Sequence, residues 1–247
     1  MAHQSTHPLP WEASDALGLL ERYPPPYHLS CDLAVFPLLV DAAQAQHWAG
    51  APLMGALGHT PFFLVAARYH HATYGPEATL LTPAPDHPYL YQEIACVLLS
   101  GILPGFSFVT PRLWVDAADR LPLELGWSYG FPKVAGNIQI RRSRQILKIT
   151  AADEQGPILA ATCALGIPVP PLLITLLAQG DGLFPHRGLR AKMHLEGAVS
   201  ATLVVVKKWE LPRLGQWGVG GRAAFGFWLE KAMLVLAPPR KLWPKQG

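Results

Sequence analysis

Apolar residues recur along this chain in two patterns, and both are strand patterns. The first is alternation: Asn137, Gln139 and Arg141 are interleaved with Ile138 and Ile140, the spacing of a strand with one wet and one buried face. The second is the nearly unbroken apolar run, seen from Ile94 to Leu99, from Phe106 to Val109 and from Ile158 to Ile167. Short runs of this kind, bounded by turn residues, read as strands buried on both faces.

Together these patterns predict strands at residues 28–40, 62–70, 91–101, 106–115, 133–142, 145–151, 157–167, 189–196, 198–209 and 225–236. Pro37 marks the first as an edge or bulged strand, because proline cannot donate to a ladder. Strands 145–151 and 157–167 pair around the turn Asp153 to Gly156, and strands 189–196 and 198–209 form a hairpin about Gly197. Helical spacing is confined to 42–48, behind the N-cap Asp41, and to the short segments 117–125 and 172–178. Many strands and few helices predict a mainly β fold: a curved antiparallel sheet, closed like a barrel, with a few short helices. One domain is expected over 27–247, preceded by a proline-dotted arm at 1–26. Residues 74–88 carry four prolines and read as a long surface loop of the kind that covers a site.

Composition sharpens this picture. Half of the 247 residues are hydrophobic and only 15% are charged, against about 25% in ordinary globular proteins. That surplus fills a large core and leaves apolar surface for a cavity or for homo-oligomer contacts. The net charge of +3 is too small and too scattered for a nucleic-acid partner, and Arg141, Arg142 and Arg144 read as a solvated strand edge. The uncharged stretch 157–179 is long enough to span a membrane. Pro168, Pro170 and Pro171 divide it into a strand and a short helix instead, so no transmembrane segment is expected. The first ten residues lack the basic and apolar regions of a secretory signal.

Cys31, Cys96 and Cys163 are widely spaced and odd in number, which suits the reducing cytoplasm. The ten histidines show no metal-ligand spacing, and His70 and His71 are adjacent, so a strand would point them to opposite faces. Gly218 to Arg222 lacks the Gly-Lys-Ser/Thr of a phosphate loop, and no Gly-x-Ser-x-Gly elbow occurs. No metal and no cofactor is expected.

The chemistry concentrates in Glu124-Leu-Gly-Trp-Ser-Tyr-Gly-Phe-Pro-Lys-Val-Ala-Gly136. Lys133 has no acid nearer in sequence than Glu124. A lysine desolvated in a pocket is a nucleophile for carbonyl carbon. Trp127, Tyr129 and Phe131 cluster before it and are candidates to wall a pocket. Upstream, Tyr91-Gln-Glu93 opens the apolar run Ile94 to Leu99, and Leu113-Trp-Val-Asp116 closes the next strand.

This order of motifs resembles the acetoacetate decarboxylase-like superfamily. There a Tyr-x-Glu begins one strand, Val-Asp ends the next, and a helix leads to Gly-Phe/Tyr-Pro-Lys. The resemblance is sharpest over Tyr89 to Gly136. It implies that Lys133 stands where the family's imine-forming lysine does, and Glu93 where its active-site glutamate does. Tyr91 would join the three aromatics in binding substrate.

The departures are as informative. The second lysine of the decarboxylases is Val134 here, the Arg-Glu before the motif is Gly126-Trp127, an arginine of the first strand falls near Asp32, and a second acid falls near Val65. The polar apparatus for a small β-keto acid is largely lost. The implied activity is that of a cofactor-independent lyase on a hydrophobic, polyketide- or terpenoid-like carbonyl compound. It would proceed by decarboxylation, aldol chemistry, dehydration or cyclisation. The alternative is a non-catalytic protein that binds a lipophilic ligand.

Overall fold

The computed structural model describes residues 16–83, 85–101, 107–116, 120–171, 179–184, 189–217 and 219–241. A ring of seven strands carries the architecture: β1 (Tyr27–Asp41), β2 (His59–Tyr74), β4 (Tyr91–Ser100), β5 (Ser107–Asp116), β10 (Gln179–Phe184), β11 (Leu189–Gly197) and β13 (Phe225–Leu236). They are hydrogen-bonded in the order β11-β10-β5-β4-β2-β1-β13, and pairing of β13 with β11 closes the ring. From β13 the sheet continues outward through β12 (Ser200–Glu210), β9 (Gly156–Val169), β8 (Ile146–Asp153) and β7 (Asn137–Arg142). Three short strands complete it on β2, β5 and β11: β3 (Thr79–Leu81), β6 (Lys133–Ala135) and β14 (Arg240–Lys241).

The outer branch packs over the outside of the ring. Phe36, Phe62, Leu64, Ile94 and Leu98 on the ring form one buried cluster with Ile138, Ile149, Ile158 and Val204 of the branch. Gln92 bridges the layers as a surrogate strand: its amide donates to the Ile138 carbonyl at 2.9 Å and accepts from the Ile140 N–H at 3.0 Å. The ring strands are therefore apolar on both faces, one towards this core and one towards the ring's interior. Such burial is what produces an unbroken run rather than alternation. β7 and β8 have one buried face only, and their burial alternates.

Several expected elements differ. Strand 133–142 breaks at Gly136, where a Cβ would sit 3.1 Å from the Ala152 carbonyl and 3.3 Å from Trp114. The first piece, β6, pairs parallel with β5, while the second, β7, leaves for β8. β10 also pairs parallel with β5, so the sheet is mixed rather than wholly antiparallel.

The expected hairpin about Gly197 does not form. β11 and β12 lie end to end along the same edge of β13, with Leu195 opposite Leu234 and Ala201 opposite Leu229. Gly197 is a bend in one long path rather than a reversal. β1 is a central strand. Pro37 is tolerated because the β13 ladder ends at Val35, leaving Pro37 paired only with Phe63 of β2. The turn Asp153 to Gly156 joins β8 and β9 as expected.

The arm is partly helical. α1 (Ala16–Arg22) packs Leu20 on the cluster around Tyr129 and Phe131. The helix α2 (Ala42–Ala49) follows its N-cap, and Asp41 Oδ1 accepts from Gln44 N–H at 2.7 Å. α3 spans Leu121–Tyr129, so Trp127 and Tyr129 are helical. The expected helix at 172–178 lies outside the described residues. Among the described residues no helix is long and apolar enough to cross a membrane. None of their His, Cys, Asp and Glu side chains form a group of three or more placed to hold a metal.

Candidate active site

The motif Gly130-Phe131-Pro132-Lys133 is a helix stop followed by a strand start. Gly130 takes φ 94° and offers its N–H to the carbonyls of Gly126 and Trp127, the left-handed cap that glycine adopts without steric cost. Phe131 N–H also returns to the Gly126 carbonyl, at 2.9 Å. Pro132 carries no donor, and its carbonyl accepts from Leu113 N–H at 3.3 Å. That contact docks Lys133 beside Leu113 at the head of β6. The Trp127 indole donates to the Lys133 carbonyl at 2.8 Å, fixing the lysine backbone against α3.

The interior of the ring is a cavity of about 780 Å³, the size of a drug-scale binding site. Inward-facing residues of alternate register line it, among them Leu33 and Val35 on β1, Val65 and Tyr69 on β2, and Ala95 and Val97 on β4. α3 contributes Leu125, Gly126 and Tyr129 to the wall. Leu81, Thr82 and Pro83 line it from the proline-rich segment 74–88, so that segment does reach the site.

Lys133 and Glu93 meet in this wall. Lys133 Nζ lies 2.9 Å from Glu93 Oε2, with side chains only 8% and 10% exposed. Tyr69 donates to the other carboxylate oxygen at 3.4 Å. Its ring stacks on Tyr91 with centroids 4.2 Å apart. Lys133 Nζ sits 5.0 Å from the Tyr91 ring centre and 5.9 Å from that of Phe131, within cation–π range. Burial, and next the Glu93 carboxylate, hold the Tyr69 and Tyr91 phenols well above their ordinary range. Both therefore stay neutral donors at any working pH. Phe131 is edge-on to Phe184 at 4.6 Å, and Tyr129 donates to the Ala237 carbonyl at 3.3 Å.

The structure thus brings Lys133, Glu93, Tyr91, Tyr129 and Phe131 to one cavity. Trp127 is corrected: it does not line the cavity, because its indole turns to the Lys133 carbonyl behind the wall. Tyr69 and Gly126 escaped the sequence reading. Tyr69 lies directly opposite Tyr91 across β2 and β4, a neighbour defined only once the register is known. Gly126 supplies space: a Cβ there would sit 2.3 Å from Lys133 Cδ and 2.6 Å from Cε.

Asp32 lies outside the cavity lining. It accepts from Arg68 at 2.5 Å, from Lys231 N–H at 3.0 Å and contacts His70 Nε2 at 3.0 Å. Burial alone would raise its pKa; these partners more than offset that and hold it below the usual range. Asp32 is a tie across β1, β2 and β13, where Lys231 takes the left-handed φ of 48°.

Neither a protein-family model nor a curated protein matches the sequence. Solved structures do. Acetoacetate decarboxylase from Legionella pneumophila subsp. pneumophila str. Philadelphia 1 superposes with a TM-score of 0.65 over 91% of this chain and 90% of that one, at 14% identity. The enduracididine biosynthesis enzyme MppR, complexed with pyruvate, gives 0.61 over 89% and 91%, at 15% identity. An acetoacetate decarboxylase-like enzyme from Sphingomonas wittichii RW1 gives 0.59 over 87% and 93%, at 15% identity.

The chain has the acetoacetate decarboxylase-like fold. At these identities the likeness is one of architecture. Within the acetoacetate decarboxylase-like fold, Val134 packs against the core between the layers, at the position where the sequence resemblance places a second lysine. Val65 faces the cavity, where that resemblance places an acid.

Proposed function

We propose that this chain is a cofactor-independent lyase-type enzyme acting on a hydrophobic carbonyl compound, with Lys133 as imine-forming nucleophile and Glu93 as its proton shuttle. The observation that carries this reading is the buried contact of Lys133 with Glu93 at 2.9 Å in the wall of an apolar cavity. Glu93 accepts a proton from the ammonium, and the freed amine attacks the carbonyl carbon. The carbinolamine then loses water, taking the proton back from Glu93. The products are a protonated imine, an ionised Glu93 and one water, so the charge of the pair is the same before and after.

The iminium withdraws electrons from the adjacent carbon, which serves aldol cleavage or condensation, or dehydration. A structure of MppR holds the condensation product of pyruvate and imidazole 4-carboxaldehyde, so a carbonyl condensation product fits that protein of the same fold. Tyr91 and Phe131 flank the amine and would hold the apolar part of the substrate; the apolar wall supports a polyketide- or terpenoid-like carbonyl compound. The three described thiols are buried and unbridged, in keeping with a cytoplasmic setting.

Borohydride reduction in the presence of neutral long-chain ketones and aldehydes tests the reading. A stable adduct mapped by mass spectrometry to Lys133 is expected, and adduct formation elsewhere, or with none of the panel, would sink it. Tyr69→Phe removes a donor from Glu93 while keeping the stacked ring. Turnover is expected to fall about tenfold, as for loss of one hydrogen bond to a charged group. The wild-type rate should show no inflection from Tyr69 up to pH 10, since its phenol remains protonated there.

A second reading rests on a specific feature of the site. Lys133 and Glu93 satisfy each other, which suits a non-catalytic protein holding a lipophilic ligand. Under that reading ligand binds without turnover and borohydride traps nothing.

A further inference from the structure

We propose that the cavity selects substrates by head-group charge, taking an uncharged ketone or aldehyde and rejecting the corresponding 2-oxo acid. The inference deepens the imine reading above and names its substrate class. Among the described residues, Lys133 and Glu93 are the only ionised side chains lining the cavity. They lie in direct contact, so the wall as a whole is neutral.

In a 2-oxo acid the carboxylate is attached to the carbonyl carbon. Seating that carbon at Lys133 Nζ therefore brings the carboxylate within reach of Glu93. The one cation that lines the cavity among the described residues is already engaged 2.9 Å from Glu93 Oε2. A third charge would thus enter beside a like charge, and among the described residues no free cation lines the cavity to receive it.

The remaining polar groups near the head are phenols: Tyr69 donates to Glu93, and Tyr91 can donate to a carbonyl oxygen. Burial and the neighbouring carboxylate resist any ionisation of Tyr69 and Tyr91. Val65, where a second charged side chain would face the interior, is apolar, as are Ala95 and Val97 beside it. An uncharged carbonyl matches this inventory: its oxygen takes a proton or a hydrogen bond, and it brings no counter-charge.

The test is a matched set of equal chain length: 2-dodecanone, 2-oxododecanoate and methyl 2-oxododecanoate. Binding is read by displacement of Nile red, itself uncharged, and imine formation by borohydride trapping at pH 7. Ketone and ester are expected to bind at least ~100-fold more tightly than the acid, the scale of an uncompensated buried charge. Equal binding of acid and ester would overturn the proposal. That comparison needs only the wild-type chain and controls for size, since the ester is larger than the acid.

Glu93→Gln removes the like charge and frees the Lys133 amine to pair with an incoming carboxyl group, so the preference should invert, with the acid bound more tightly than the ester. Retention of the wild-type order in a folded Gln variant would also overturn the proposal. The two readouts separate this inference from the one it rests on. Exclusion of the acid from Nile red displacement without any trapped adduct would retain charge selection and sink the imine. Equal trapping of acid and ester at Lys133 would do the reverse.

Discussion

Lys133→Ala should abolish turnover of the true substrate and every trace of borohydride adduct. Covalent catalysis depends on a nucleophile that alanine cannot replace, and no other lysine lines the cavity among the described residues. The same change strands Glu93, 7% exposed, without its cation. Breaking a buried pair from one side costs about 3–5 kcal/mol, so the variant should melt measurably lower, and folding must be checked by calorimetry before the rate is read. Lys133→Arg separates chemistry from charge: it keeps a cation for Glu93 and cannot form an imine. Full activity in a folded arginine variant would eliminate the Schiff base. A fall of only about 10²–10³-fold in the alanine variant would instead indicate that the cation acts as one electrostatic donor, as in an enzyme that folds its substrate for cyclisation.

Replacing both partners gives the complementary result. Lys133→Met with Glu93→Leu removes two desolvated charges and leaves apolar side chains in an apolar wall. Such exchanges are often neutral or stabilising by about 1–4 kcal/mol. If the double variant melts at or above the wild type while turnover is lost, the pair is retained for chemistry and not for the fold. A double variant that fails to fold would mean the pair organises the ring.

Much of this was legible in the chain because strands advertise themselves through burial. The one-sided β7 and β8 alternate, the two-sided β4 runs apolar, and both patterns survive into the structure. Lys133 and Glu93 were legible through the order of motifs around them, and their contact is a matter of strand pairing: Glu93 faces Val115 on β5, and Lys133 faces Leu113 on the other edge of the same strand.

What escaped was anything fixed only by register or by backbone path. Gly197 carries the signal of a turn, yet it bends one path along β13, because pairing to a third strand outweighs local turn propensity. Tyr69 belongs to the site through its cross-strand neighbour Tyr91. Trp127 was misplaced because three aromatics near a lysine look alike in sequence, whereas a helix sends Tyr129 inward and turns Trp127 to the lysine backbone.

Gly126→Ala should lower activity strongly and stability slightly. Gly126 is a buried interior position of α3, where alanine is favoured over glycine by about 0.8–1.0 kcal/mol. A new Cβ would lie 2.3 Å from Lys133 Cδ, 2.6 Å from Cε and 3.0 Å from Cγ, far inside van der Waals contact. The lysine chain is the softest of the groups that must give. Its backbone is held by the Trp127 indole and by β5, so the displacement falls on the amine and on its contact with Glu93. A misplacement of about 1 Å costs on the order of 10²-fold in an oriented reaction. The helix gain offsets only part of the overpacking cost of about 1–3 kcal/mol, so the expected variant melts somewhat below the wild type, turns over about a hundredfold more slowly and traps less adduct at Lys133. Wild-type turnover would show that the amine tolerates displacement and that the open face of α3 serves only to widen the cavity. A collapse in melting temperature would show that the lysine chain cannot move, and that its path across Gly126 is part of the core.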